Sequence, residues 1–207
     1  LRNSLLAKSI IIPNGIDDFW LQNKFLPKNI KKRKSIRLLY VGAISKRKNL
    51  LNTAKAVEIL VEKGYDVQYT VVGKIMNEKV FKKIQAKSFV KYHPPKNKEE
   101  LLEIYRENDI FVMPSITETF GLVYPEAMSQ GLPVIYTKDQ GFDGQFNEGE
   151  VGYPVFCNDP YDIAEQIENI MGNYNEISKK CIVCVDRFNW ADIAKVYIEQ
   201  YDAVINS

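Results

Sequence analysis

Apolar residues recur along this chain in two alternating rhythms. Residues 36–41, 67–72, 89–92, 110–113 and 133–137 are short runs that are wholly or mostly apolar, and Gly or Pro lies just beyond most of them. Such runs predict strands. Between them the spacing changes to the helical period. Residues 49–63 place Leu50, Ala54, Val57, Leu60 and Val61 on one face, and Gly64 stops the pattern. Residues 78–85, 99–108 and 121–130 read as further helices, the second with Leu101, Leu102 and Tyr105 on one side. Residues 9–13 predict an opening strand, and the polar segment on to Ser35 reads as irregular. Residues 151–155 suggest a last strand. Helices over 160–171, 175–188 and 190–204 close the chain.

Strands that alternate with helices, several of them apolar throughout, predict a parallel sheet covered on both faces. The expected class is α/β, a doubly wound, Rossmann-like sheet. Ligands on such sheets bind at the carboxyl ends of the strands. The loops expected there are 42–49, 73–77, 92–97, 115–120 and 138–146. A length of 207 residues, 45% hydrophobic and 26% charged, suits one domain and one core. No internal repeat stands out.

A net charge of +2 gives no electrostatic case for nucleic acid. One basic run, residues 28–34, reads as a solvated loop, with a patch facing anionic lipid or substrate as the sharper alternative. No apolar run approaches the length of a membrane span, and no signal peptide is visible. The chain opens on Leu1 close to a strand, which reads as a cut inside a longer protein. Cys157, Cys181 and Cys184 fit a reducing compartment, hence the cytoplasm. Cys181 and Cys184 form a C-x-x-C within a helical pattern, and the single histidine, His93, is far off in sequence. The pair reads as packing, and no metal site is expected.

The chemistry concentrates after residues 110–113. Glu118 and Glu126 stand eight positions apart, with Phe120-Gly121 between them as a turn that opens a helix. A helix start flanked by two acids can hold an anion, while the acids accept hydroxyl hydrogen bonds on either side. On this reading Glu126 lies about two turns into the helix. Hydroxyls, then phosphates, then hydroxyls describe a nucleotide sugar. Lys46, Arg47 and Lys48 follow Gly42 on the same predicted edge, where cations can meet a diphosphate. Gly141-Phe-Asp-Gly144 could offer backbone amides to a ligand or be a plain turn. Neither a G-x-G-x-x-G nor a P-loop motif occurs, which disfavours a dehydrogenase or a P-loop nucleotidase.

Several motifs together resemble the C-terminal half of a GT-B glycosyltransferase of the retaining GT4 (group 1) type. They are Ile12-Pro-Asn-Gly-Ile-Asp17, Tyr40-Val-Gly42 with Lys48-Asn49, Val71-Val-Gly73, and Asp109-Ile-Phe-Val-Met-Pro-Ser115. The strongest is Glu118-Thr-Phe-Gly-Leu-Val-Tyr-Pro-Glu126, the E-x7-E pattern of that family. The resemblance implies that Glu118 touches donor-sugar hydroxyls and Glu126 accepts from the ribose. It implies diphosphate contacts from the backbone amides near Phe120, Gly121 and Leu122, with Gly42 and Thr119 also at the donor. Lys48 would neutralise the departing diphosphate, and Tyr92 and His93 would lie by the base. No metal or other cofactor is implied. An arginine that the family commonly carries after the strand is Ala43 here, and Arg47 is the available substitute.

The resemblance further implies an acceptor-binding N-terminal domain absent from this chain, so that the chain alone transfers little or no sugar. The final helix, from Trp190, resembles the segment that reaches back to that domain. Such an enzyme would make a polysaccharide or lipid-linked glycan in the cytoplasm, with peripheral association at the inner face of the membrane as a further expectation. Two alternatives stay open: an epimerase or phosphorylase on the same scaffold, and a non-catalytic nucleotide- or partner-binding module.

Overall fold

The structure is a computed structural model that describes residues 10–28 and 34–205. Six strands form one parallel sheet: β1 (Ser35–Val41), β2 (Asp66–Val72), β3 (Val90–His93), β4 (Ile110–Val112), β5 (Val134–Thr137) and β6 (Gly152–Val155), in the order β3-β2-β1-β4-β5-β6. This is the doubly wound α/β order that the alternating pattern predicts. β4 and β5 are buried along their whole length, as strands covered on both faces must be.

One face carries α2 (Leu50–Glu62), α3 (Glu78–Gln85) and α6 (Pro160–Gly172). The other carries α4 (Lys98–Glu107), α5 (Val123–Ser129) and α7 (Tyr174–Cys184), with the short α1 (Asp18–Gln22) against α5. A 3-10 turn at Val185–Phe188 leads into α8 (Trp190–Ile205). At the amino ends of the strands, Arg37 ties β1 to β4. Its backbone amide and guanidinium both bond the buried Asp109 carboxylate, at 2.9 and 3.2 Å. β1 and β4 are neighbours, yet their chains leave in opposite directions across the sheet, so the loops after them border one crevice.

Four expectations change. Residues 10–13 pair with no strand, and Ile10 and Ile11 are exposed. Ile16 instead makes a lone bridge to Asn189, and Ser9 lies outside the described residues. The segment before Ser35 is not wholly irregular. Asp17 accepts from the Phe19 amide at 2.9 Å and caps α1, which buries Trp20 edge-on against Tyr105. Of the basic run, residues 29–33 lie outside the described residues. Lys28 does not point to solvent: its ammonium bonds the carbonyls of Tyr105 at 3.1 Å, Arg106 at 2.9 Å, and Asn108. A cation there complements the carbonyls at the end of α4. Finally, the expected helix over 175–188 ends at Cys184. Cys181 is buried against the Val151 carbonyl, as a packing role requires.

Candidate active site

The crevice between β1 and β4 receives its chemistry from two loops. A 3-10 turn, Lys46–Lys48, follows β1 and ends at Asn49, whose φ of 58° turns the chain sharply into α2. The Asn49 amide group holds the turn down through the carbonyls of Pro114, at 3.0 Å, and Cys157, at 2.6 Å. The Tyr40 hydroxyl, kept protonated by burial, donates to the Ala43 carbonyl at 2.8 Å. Across the crevice the Ile116 amide bonds the Arg47 carbonyl at 2.8 Å, so the two loops are stitched together.

This scaffold brings Lys48 and Glu118 into direct contact, 2.5 Å from ammonium to carboxylate. Side-chain exposures of 12% and 9% make the pair largely buried. Ser115 donates to the same carboxylate oxygen at 3.4 Å, and Lys48 also reaches the Met113 sulfur at 3.5 Å. Two mostly desolvated charges hold each other in place at a considerable solvation cost, so they favour a ligand that supplies hydroxyls to one and negative charge to the other. Arg47 joins from the rim. It donates to the Thr117 carbonyl at 2.8 Å and stands 3.9 Å from Glu118. Lys46, expected beside it, instead lines a separate groove between α2 and α3.

The loop after β5 clasps Glu118 from the other side. Gln140 accepts from the Glu118 amide at 2.9 Å, and the Gly141 amide donates to the Glu118 carbonyl at 3.2 Å. A Cβ on Gly141 would lie 1.6 Å from the Thr119 oxygen, so only glycine permits this approach. The Gly141 amide is therefore committed to the protein. Thr119 is exposed and its amide returns to its own neighbour, the Glu118 carboxylate, at 3.2 Å.

The next residues leave amides free. Among the described residues, the amides of Phe120, Gly121, Leu122 and Val123 donate to no protein acceptor. Gly121 has φ +79°, and a Cβ there would meet the Tyr124 ring at 2.4 Å. That conformation ends any helix at this point, so α5 begins at Val123 and Glu126 lies in its first turn, not two turns in. Phe120 packs edge-on against Phe188, and Tyr124 anchors the helix through a 2.6 Å bond to the Met113 carbonyl.

Glu126 faces a second space, a cleft of about 510 Å³ whose walls include Gly15, Lys98, Leu122 and Trp190. Its carboxylate accepts from the buried Tyr105 hydroxyl at 3.3 Å. Burial pushes its carboxyl up to about 7, against smaller lowering by Tyr105 and Lys98. A half-satisfied buried carboxylate calls for further donors.

The other expected residues spread along the sheet edge. The Gly42 amide bonds Val72 at 2.9 Å. Tyr92 donates to the Gly73 carbonyl at 3.1 Å and packs on Phe81. The His93 carbonyl is taken by the Gly73 amide, and its imidazole lines another cleft beside Arg37 and Glu107. Burial and then Lys91 and Lys96 lower that imidazole's pKa. The His93 side chain thus stands apart from Lys48 and Glu118. Ser115, Gln140, Tyr105 and Lys98 were not foreseen from the sequence. Gln140 adjoins the glycine loop, which was its one signal.

Comparison with known proteins identifies the family and the fold. The family description "Glycosyl transferases group 1" matches residues 22–183. D-inositol 3-phosphate glycosyltransferase of Paenarthrobacter aurescens is 26% identical over 95% of this chain and 52% of its own. The capsular polysaccharide biosynthesis glycosyltransferase CapM of Staphylococcus aureus is 30% identical over 77% of this chain and 44% of its own. The chain thus spans about half the length of the curated relatives it matches. Among solved structures, Anabaena HepE in complex with UDP and glucose superposes with a TM-score of 0.71 at 17% identity, over 82% of this chain and 49% of that one. The C-terminal domain of the group 1 protein LpcC of Francisella tularensis gives 0.66 at 21% identity, over 83% of this chain and 96% of that one. These likenesses show the fold, that of GT-B glycosyltransferases. The family match covers most of the chain, and the chain belongs to the glycosyl transferases group 1 family.

Proposed function

We propose that this chain is the donor-binding domain of a retaining glycosyltransferase of the GT4 type, and that it takes a UDP- or GDP-hexose. The observation that carries this reading is the Lys48–Glu118 contact beside four free backbone amides. In the proposed complex the donor diphosphate lies against the amides of Phe120 to Val123 and the Lys48 ammonium. The sugar hydroxyls donate to Glu118. Glu126 accepts from the ribose, which supplies the donors its carboxylate lacks. As the sugar–phosphate bond breaks, charge grows on the diphosphate. Lys48, already fixed and desolvated, stabilises it without reorganising. Arg47 supplies the second cation that Ala43 does not, and no metal is required.

The acceptor comes from a further domain, and the whole enzyme builds a polysaccharide or lipid-linked glycan in the cytoplasm. The apolar stripe of α8 supports such a partner domain, since Tyr197, Tyr201 and Val204 lie exposed along it. No helix among the described residues is long and apolar enough to cross a membrane. The expected result of calorimetry with UDP, GDP and their hexose conjugates is binding of one nucleotide series, weakened at least tenfold by Glu126→Ala. Unchanged affinity in that variant removes the ribose role. No binding by any nucleotide favours a non-catalytic partner module instead.

A further inference from the structure

A parallel sheet covered on both faces is built from strands that are apolar throughout, and β2 and β3 depart from that. Tyr69 meets Thr53 of α2, and Tyr92 packs on Phe81 of α3. The alternate residues, Gln68 and Thr70 on β2 and Lys91 and His93 on β3, therefore turn to the opposite face. Arg37 of β1 stands in register with Gln68, and Thr70 with Lys91. With Glu107 from the end of α4, these side chains line a cleft of about 260 Å³. Neither Lys48 nor Glu118 lines it.

The cleft collects donors that have no acceptor in the protein. Thr70 is 4% exposed, and its hydroxyl donates to nothing among the described residues. That oxygen still opens on the cleft, unlike the hydroxyls of Thr53 and Tyr69, which are shut off from solvent. The Gln68, Lys91 and His93 side chains likewise have no hydrogen-bond or ion-pair partner among the described residues. Arg37 spends Nε and Nη2 on Asp109, at 3.4 and 3.2 Å, which leaves Nη1. Lys91 and Lys96 each act on the His93 imidazole more strongly than Glu107 does, so the local field is positive. Lys28 already sits on the carbonyls that end α4, which offsets the negative pole of that helix. We propose that this cleft binds a small phosphate-type oxyanion, either free or carried on a polyol. A phosphate offers lone pairs on every side, which suits donors arriving from three strands, whereas a carboxylate offers them in one plane. Glu107 opposes a bare anion and can accept from a polyol hydroxyl. The volume lies just under the roughly 300–1,000 Å³ of sites for drug-sized ligands, so the ligand is small.

His93 is the single histidine of the chain, so its imidazole proton is one unambiguous NMR signal in the cleft wall. The test follows that signal from about pH 5 to 8 at constant ionic strength, in chloride, in sulfate and in glycerol 3-phosphate. Sulfate stands for the free oxyanion because its charge stays fixed over this range. The expected result is that sulfate or the ester raises the His93 pKa by about half a pH unit or more over chloride, which means about threefold tighter binding to the imidazolium. Saturation by the ester at a tenth of the sulfate concentration assigns the polyol-borne phosphate, and equal concentrations assign the free ion. Thr70→Val keeps the side-chain shape and should raise the half-saturating concentration at least fivefold. Adding Lys91→Ala should abolish the response. Lys83→Ala, on α3 across the sheet, should leave it unchanged. No rise with either anion in the unaltered chain overturns the proposal. So does a rise retained in Thr70→Val/Lys91→Ala, and so does an equal loss in Lys83→Ala, which indicates diffuse attraction. None of these variants touches Lys48, Glu118 or Glu126, so a failure here leaves the donor reading intact.

Discussion

Glu118 and Glu126 are the same residue type eight positions apart, and the structure gives them opposite surroundings. Glu118 is neutralised by Lys48 at 2.5 Å, while Glu126 has a tyrosine hydroxyl and burial. For Glu126 the consequence is a pH dependence of stability. Its folded pKa is raised, from an ordinary 4.5 to about 7. The protonated form is the one the fold favours. Its contribution is therefore complete below about pH 4.5 and is lost as pH rises through 7. Unfolding free energies from urea titration at pH 5.5 and pH 8 should differ by up to roughly 2 kcal/mol more in the unaltered chain than in Glu126→Gln, the part of the shift that lies within that window. Ribose hydroxyls would favour the charged form, so nucleotide binding near pH 7 should release a proton. Calorimetry in buffers of different ionisation heat reads that directly, and buffer-independent heats would contradict it. The sequence made both acids visible through their spacing. It could not show that one is paired and the other is not, because Lys48 is seventy positions away from its partner.

At the scale of elements, strands and long helices were legible and short ones were not. α2 and α4 announce themselves by period, and α4 also has the capping box of Asn97 and Glu100. α1 spans five residues, too few to show any period, and exists because Trp20 has a buried place beside Tyr105. The start of α5 was misread because Leu122, Val123, Ala127 and Met128 continue an apolar pattern through Gly121. A positive φ is invisible in a pattern of hydrophobicity. The loop clasp makes a prediction at this scale. Gly141→Ala requires no unusual backbone angle, so its cost is steric: the new carbon must push Thr119 aside. Overpacking of this kind costs about 1–3 kcal/mol. Thermal unfolding should fall by several degrees, and donor affinity should fall with it as Glu118 loses its Gln140 anchor. Gly144→Ala, which meets nothing within 4 Å, should leave affinity unchanged despite its own φ of +78°.

For the whole molecule, the order β3-β2-β1-β4-β5-β6 explains why residues far apart in sequence meet. The chain crosses from β3 to β4 over the opposite face, and that reversal opens the crevice between the loops after β1 and β4. This was inferable from alternation alone, since right-handed crossovers leave few other arrangements. What alternation cannot supply is the acceptor. The expected behaviour of the chain by itself is nucleotide binding without sugar transfer, with transfer restored when a relative's missing half is supplied in the same polypeptide. Product analysis by mass spectrometry checks this, and turnover of an acceptor by the chain alone would contradict it.

The Lys46–Lys48 turn has a consequence of its own. A 3-10 turn advances about 120° per residue, so three successive side chains leave in three directions. Lys46 goes to the α2–α3 groove, Arg47 to the Thr117 carbonyl, and Lys48 to Glu118. The turn works as a three-way distributor of positive charge, with Asn49 as its fixed axle. Deleting one residue from it would change the composition by a single residue and send the remaining cations to a neighbour's address.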